Sequence, residues 1–190
     1  KWTKDSTVGE SLITNLQIDE LSGFFIDSNL NIYVAEHLSH RVTKWTPPYS
    51  GGGTVVAGGN GSGSGNSQLN EPLGVFVDES QNIYVSDGQN HRVMKWAPNA
   101  SEGVLVAAGN GAGAALNQLH YPMELYVHSS GDIYITDESN GRIVKWGNGN
   151  SEGIVVAKNL AFPRGFHVTE DKVIYIADRE NDRVVKWKEN

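Results

Sequence analysis

The stretch NIYVSDGQNHRVMKW, residues 82–96, decides the fold, because the chain contains it in four versions. Each version has a tyrosine followed 12 residues later by a tryptophan, and the tyrosines are Tyr33, Tyr84, Tyr134 and Tyr175. Successive tyrosines lie 51, 50 and 41 residues apart, so insertions fall between the units and not within them. A period of this size with fixed internal spacing indicates a repeated supersecondary unit.

Each unit predicts four short strands. In the second copy, apolar runs at 74–77, 83–86, 92–96 and 104–107 are separated by turn-forming residues. Four antiparallel strands in about 40 to 50 residues predict one blade of a β-propeller. We therefore expect an all-β chain, a β-propeller built from four-stranded antiparallel blades.

The connections between units carry two further signals. Proline precedes the first strand of three copies, where its missing N–H removes no ladder hydrogen bond. These residues are Pro72, Pro122 and Pro163, and Leu21 stands at this place in the first copy. The glycine-rich segments 57–66 and 107–114 are predicted to be flexible connections and not phosphate-binding loops, because no helical period follows either one.

The composition excludes several classes of partner and chemistry. The net charge is −7, and the 15 basic residues form no stripe that could neutralise phosphates, so nucleic acid is not expected as a partner. No apolar run approaches the roughly 20 residues that a membrane span needs. Cysteine is absent, which excludes disulfides, thiolate catalysis and sulfur-ligated zinc. Glycosylation sequons at Asn60 and Asn99 favour an extracellular or secreted protein.

The repeated unit resembles the NHL repeat, a β-propeller module. The resemblance rests on PLGVFVD (72–78), NIYVSD (82–87) and NHRVMKW (90–96), and it extends over all four copies. It implies a propeller, usually of six blades. It leaves the function open, because the family includes protein-interaction modules, RNA-binding modules, extracellular sensor domains of bacterial kinases and amidating lyases.

The number of blades in the ring stays open at this point. We expect one domain over residues 1–190, with repeats at about 15–57, 66–107, 116–157 and 159–190. Residues 1–14 are interpreted as a strand remnant that completes the last blade of a closed four-blade ring. The alternative is that the chain is part of a six-blade ring, and self-association is expected if the ring is incomplete.

The resemblance to a lyase fails at the catalytic residues. In the amidating lyases that share this repeat, the zinc-binding histidines directly follow the entry proline. The matching positions here are Ser22, Leu73, Met123 and Arg164. We expect no metal site and no cofactor, and calcium held by carboxylates and carbonyl oxygens stays an unsupported option.

Two repeated sets of residues are expected to be structural. A carboxylate precedes an arginine by five residues in every copy, which fits a repeated ion pair better than an active site that is built once. The tryptophans that end the third strands are expected to pack between blades. The set is Arg41, Arg92, Arg142, Arg183, Trp45, Trp96, Trp146 and Trp187.

The candidate ligand site is one loop face of the propeller, which we call the rim. There the connections entering the first strands meet the turns between second and third strands, and these loops differ between copies while the strands barely change. The fourth copy supplies basic residues and the first three supply acidic ones. The candidates are Glu20, Ser22, His37, Glu71, Leu73, Gln89, His120, Tyr121, Met123, Glu138, Arg164 and Arg179.

Two functions from different classes follow from this pattern. The preferred one is a non-catalytic binding or structural interaction module that binds a protein, peptide or glycan at the rim, because no single-copy set of reactive residues stands out. The alternative is a propeller enzyme of the lyase or lactonase type with a metal at the channel mouth. RNA binding is a third hypothesis, which the charge disfavours.

Overall fold

The computed structural model describes residues 11–13, 18 and 20–189. In this part of the chain, fifteen strands form four antiparallel sheets, and the helical segments are three short 3₁₀ turns. No helix among these residues is long and apolar enough to cross a membrane. The strands of each sheet are hydrogen-bonded in their sequence order, so each sheet is a simple meander.

The four sheets are blades 1 to 4 in chain order. Blade 1 consists of β1 (Leu21–Ile26), β2 (Ile32–Glu36), β3 (Arg41–Trp45) and β4 (Thr54–Gly58). Blade 2 consists of β5 (Pro72–Val77), β6 (Ile83–Asp87), β7 (Arg92–Trp96) and β8 (Val104–Ala108). Blade 3 consists of β9 (Pro122–Val127), β10 (Ile133–Asp137), β11 (Arg142–Trp146) and β12 (Ile154–Ala157). Blade 4 consists of β13 (Pro163–Val168), β14 (Val173–Asp178) and β15 (Arg183–Lys188), and 3₁₀ turns at Gly88–Asn90, Glu138–Asn140 and Arg179–Asn181 join the second and third strands of blades 2 to 4.

The predicted four-stranded antiparallel blades are confirmed for blades 1 to 3. In blade 4, the described residues supply three strands. Residues 11–13 form a bend where the sequence suggested a strand, and Leu12 and Ile13 pack against blade 1 beside Trp45. The other residues of the suggested remnant, 1–10 and 14, lie outside the described part of the chain.

The second strand of a blade is apolar on both faces because it lies between two other sheets. Along β6, Ile83 and Val85 face the preceding blade, whereas Tyr84 faces the following blade. We call these two sides the backward face and the forward face. The same alternation occurs at the matching positions of the other three repeats.

Three hydrophobic cores join neighbouring blades. Between blades 1 and 2, Tyr33 and Val42 on the forward face meet Val85 and Trp96 on the backward face. The matching residues form the next two cores, and Trp146 is buried in the second while Trp187 is partly buried in the third. Complete burial of one indole stabilises the fold by up to about 4–6 kcal/mol.

The innermost strands of neighbouring blades approach so closely that two glycines are required. A Cβ placed on Gly23 would overlap the carbonyl oxygen of Leu73, and one placed on Gly74 would overlap that of Met123. The Ser22 hydroxyl also donates across this contact, to the carbonyl oxygen of Pro72 at 2.8 Å. The blades are therefore joined by direct backbone contact at their inner edge.

The glycine-rich connections are held by arginines, which corrects the prediction that they are flexible. The Nε of Arg92 donates to Asp87 at 2.7 Å, and its terminal nitrogens donate to the carbonyl oxygens of Ser64, Gly65 and Gln68 at 2.8 to 3.3 Å. Arg142 makes the equivalent bonds to the next connection. Each arginine thus links the turn of its blade to the connection that enters the same blade.

We expect Gly74→Ala to lower the free energy of unfolding by about 1–3 kcal/mol, because the added methyl group must separate β5 from β9. Gly165 is the matched control, since a Cβ there meets no atom within 4 Å. Gly165→Ala should leave stability unchanged or raise it by up to about 1 kcal/mol. Urea unfolding followed by tryptophan fluorescence measures both variants, and equal effects would contradict the close contact.

Candidate functional site

Backbone hydrogen bonds hold the two halves of the rim together within each blade. In blade 2, the Gly88 N–H donates to the carbonyl oxygen of Glu71 at 3.2 Å, and the Gln89 N–H donates to that of Asn70 at 3.1 Å. The buried carboxylate of Asp87 also accepts the Asn70 N–H at 2.7 Å. Asp137 and Asp178 accept the matching N–H groups of blades 3 and 4. These bonds therefore fix the backbone positions from which the rim side chains extend.

The residue before each first strand has a left-handed backbone conformation, which L-residues adopt rarely. The four residues are Glu20, Glu71, Tyr121 and Phe162, with φ between 39° and 58°. Two of them are held by a histidine of the preceding blade. His40 Nδ1 accepts the N–H of Glu71 at 3.1 Å, and His91 Nδ1 accepts the N–H of Tyr121 at 3.2 Å.

The protonation state of His91 suits its role as an acceptor. Burial lowers the pKa of His91, and the nearby His120 lowers it further, while Asp137 and Asp87 oppose the shift. A lowered pKa keeps the imidazole neutral at neutral pH, so that Nδ1 is free to accept the Tyr121 N–H. His40 and His91 are therefore positioning residues for the rim side chains of the blade that follows.

Three rim side chains from three successive blades converge on the carboxylate of Glu71. The Gln89 amide donates to Glu71 Oε2 at 2.9 Å, and the Tyr121 hydroxyl donates to the same oxygen at 3.5 Å. His37 Nε2 lies 3.7 Å from this oxygen. We call these four residues the Glu71 cluster.

A second charged pair lies beside the Glu71 cluster. The guanidinium Nε of Arg164 is 3.3 Å from Oε1 of Glu138, and the Arg164 side chain is 55% exposed. Burial raises the pKa of Tyr121, the charges of Glu71 and Glu138 raise it further, and Arg164 opposes them. The charges of Glu71, Glu138 and Arg164 therefore all act on the Tyr121 phenol, and the rim carries both signs of charge.

The other rim candidates do not join this surface. The hydroxyl of Ser22 is bonded to backbone carbonyl oxygens, and Leu73 is buried. His120 is exposed and its ring meets that of His91 edge-on at 5.4 Å. Glu20 is exposed, and its carbonyl oxygen accepts the N–H of His37 at 3.0 Å, so it supports the cluster through its backbone. Met123 is half-buried, and Arg179 pairs with Glu180 at 3.3 Å.

Glu124 is a site residue that the sequence reasoning did not single out. It lies on the innermost strand β9, at the place where the other copies have Gly23, Gly74 and Gly165. Met123 and Glu124 form a β-bulge opposite β10, and the first strands of the other three blades have the same irregularity at the matching place. Burial raises the pKa of Glu124, and one hydrogen bond from the N–H of Leu125 opposes this. The sequence signal that marks Glu124 is that it replaces the glycine found at this position in the other three copies.

Two grooves lie away from the rim and contain none of its candidate residues. One, of about 400 Å³, follows β4 and includes Trp96 and the exposed sequon residue Asn99. The other, of about 500 Å³, lies between β12 and β15. Within the described part of the chain, no three His, Asp or Glu side chains are grouped to hold a metal ion.

Comparison with known proteins identifies the fold and nothing finer. No protein-family model matches the sequence, and no curated protein matches it. Solved structures do match. A gluconolactonase from Xanthomonas campestris has a TM-score of 0.70 at 14% identity, over 92% of this chain and 60% of that one. The chain has the β-propeller fold.

Two further solved structures agree with this fold. A streptogramin B lyase has a TM-score of 0.62 at 12% identity, over 92% of this chain and 56% of that one. A nutrient-binding protein from Bacteroides thetaiotaomicron has a TM-score of 0.67 at 14% identity, over 87% of this chain and 47% of that one. This chain thus spans about half to three fifths of the structures that it matches. Identities this low carry the architecture and not the activity.

Replacing Glu124 should change how stability depends on pH. A raised pKa in the folded state means that the folded state binds the proton of Glu124 more tightly than the unfolded state does. The stability that Glu124 contributes is therefore fully present below its unfolded pKa and is lost as the pH rises through its folded pKa. Glu124→Gln should therefore gain stability relative to the wild type as the pH rises above the ordinary glutamate pKa of 4.5. Glu79→Gln, at an exposed turn, is the control. A difference in unfolding free energy that does not vary with pH would contradict the raised pKa of Glu124.

Proposed function

We propose that this chain is a non-catalytic binding module of the NHL-repeat type, whose rim binds a protein, peptide or glycan. The observation that carries the proposal is the convergence of His37, Gln89 and Tyr121 on Glu71. Three residues that each occur in one copy meet at one carboxylate, while the strands beneath them are repeated. Convergent polar groups fixed on a rigid scaffold are the usual form of a recognition site.

The chemistry of the rim defines the ligand in general terms. Glu71 accepts donors, Arg164 offers an exposed guanidinium, and Tyr121 adds an aromatic ring with a polar end. Phe162, at the matching position of blade 4, is also exposed. A ligand with hydroxyl or amide groups beside an apolar surface suits this set, and this description fits both a glycan and a peptide.

Glycan and peptide arrays probed with the labelled chain test the proposal. The wild type should be retained by one class of probe, and Glu71→Gln and Arg164→Ala should each weaken retention at least tenfold, which corresponds to about 1.4 kcal/mol. Glu79→Gln is the matched control, because it removes one carboxylate from an exposed turn at the other end of β5. Unchanged retention in both rim variants, or no retention of the wild type, would contradict the proposal.

A catalytic function is the second candidate, and Glu124 is the observation that favours it. A carboxyl group with a raised pKa on the innermost strand is suited to general acid–base chemistry. The fold is shared with a lyase and a gluconolactonase. A metal at the channel mouth stays part of this hypothesis without a ligand set among the described residues.

Hydrolysis of gluconolactone by the chain tests the catalytic candidate. If Glu124 is the acid or base, Glu124→Gln should lower the turnover rate by a factor of about 10²–10⁴, while Glu79→Gln leaves it unchanged. A wild type that does not accelerate hydrolysis would exclude gluconolactone as a substrate. A Glu124→Gln variant with full activity would exclude Glu124 as the acid or base.

A further inference from the structure

One of the two oxygens of the Glu71 carboxylate is left open by the rim. The Gln89 amide, the Tyr121 hydroxyl and the His37 Nε2 lie 2.9 Å, 3.5 Å and 3.7 Å from the same atom, Oε2. Among the described residues, no hydrogen bond or ion pair reaches the other oxygen, Oε1. The three neighbours therefore orient the carboxylate and leave Oε1 as a single acceptor for a ligand.

The negative charge of Glu71 is not matched by a lysine or arginine of the rim. Its three neighbours are an amide, a phenol and an imidazole, and the imidazole is charged only if protonated. The nearby guanidinium of Arg164 already pairs with Glu138. The rim candidates comprise three glutamates against two arginines, and the net charge of the chain is −7. A cationic ligand group therefore complements this oxygen.

The geometry of the carboxylate favours an ammonium group over a guanidinium group. A guanidinium binds a carboxylate best through two parallel N–H bonds, one to each oxygen. Because three side chains already surround Oε2 of Glu71, one oxygen remains for the ligand. An ammonium group is a compact point charge, so a single acceptor oxygen suits it.

The surroundings of Oε1 favour a long and thin stem behind the cation. The Glu71 side chain is only 29% exposed, so its carboxylate is recessed among its neighbours. The ring of Tyr121 lies beside the carboxylate, because its hydroxyl contacts Oε2, and it offers an apolar surface to methylene groups. The four-carbon side chain of lysine meets both conditions. An amine attached directly to a sugar ring or to a peptide Cα brings a bulky group to the same depth.

We propose that the Glu71 cluster binds a lysine side chain of a protein or peptide partner, with the ammonium group on Oε1 of Glu71. The inference rests on the proposed function of the rim and names the ligand class at that site. Glu71 makes the contact, while His37, Gln89 and Tyr121 position its carboxylate. Burial raises the pKa of Tyr121, so its phenol stays protonated at neutral pH and continues to donate to Glu71.

An NMR titration of the isotope-labelled chain with Nα-acetyl-lysine methylamide tests the proposal. The backbone amide signals of Glu71, Gln89 and Tyr121 should shift and saturate as this probe is added. Three matched probes should bind at least about tenfold more weakly. They are the arginine counterpart, which carries a guanidinium, the Nε-acetyl-lysine counterpart, which carries no charge, and glucosamine, which carries its ammonium on a sugar ring.

Variants of the chain complete the test. Glu71→Gln should weaken binding of the lysine probe at least about tenfold, because the acceptor loses its charge, whereas Glu79→Gln should bind as the wild type does. Amide signals that are unchanged away from the rim would show that Glu71→Gln is folded. Equal binding of any matched probe, no shift with the lysine probe, or full binding by Glu71→Gln would overturn the proposal.

The glycan and peptide arrays separate this inference from the proposed function. Retention of probes that lack lysine, weakened by Glu71→Gln and Arg164→Ala, would leave the binding module standing and exclude lysine as its ligand. Retention of lysine-containing peptides, lost when their lysines are acetylated, would support both.

Discussion

The fold depends on direct backbone contact between the innermost strands of neighbouring blades. At Gly23 and Gly74, the carbonyl group of the next strand occupies the space that a side chain would fill. This spacing brings the forward-face tyrosine of one blade into contact with the backward-face tryptophan of the next. Where Glu124 replaces the glycine, β9 and β13 pack less extensively than β5 and β9. Glu124 is half-buried, and burial raises the pKa of its carboxyl group.

The rim follows from this spacing. Because the blades are so close, His37, Glu71 and Tyr121 meet although they belong to three different repeats. The frame beneath them is repeated, since a buried aspartate accepts the matching N–H group in blades 2, 3 and 4. Rim side chains therefore differ between blades without disturbing the packing, which is how a repeated scaffold carries a single-copy site.

The sequence predicted the blades well because their signals are local: fixed spacing, two-residue alternation and turn residues. It also placed Glu71, Gln89 and Tyr121 on the rim, but it did not show that they meet, since that depends on distances between loops far apart in the chain. The hydrogen bonds from Arg92 to the connection at 64–68 were not predicted. Their acceptors are backbone carbonyl oxygens, which every residue has, so no side-chain pattern indicates them. The sequence shows that Glu124 stands where the other copies have glycine. It does not show that the glycines allow close contact between strands, which requires the distances in the structure.

A crystal structure at high resolution tests the backbone contact most directly, through the contact between β1 and β5. We predict that the Ser22 hydroxyl lies within hydrogen-bond distance of the Pro72 carbonyl oxygen, at about the 2.8 Å found here, with no water molecule between the two strands. A layer of ordered water between β1 and β5, with Ser22 bonded to water in place of the carbonyl group, would contradict the account.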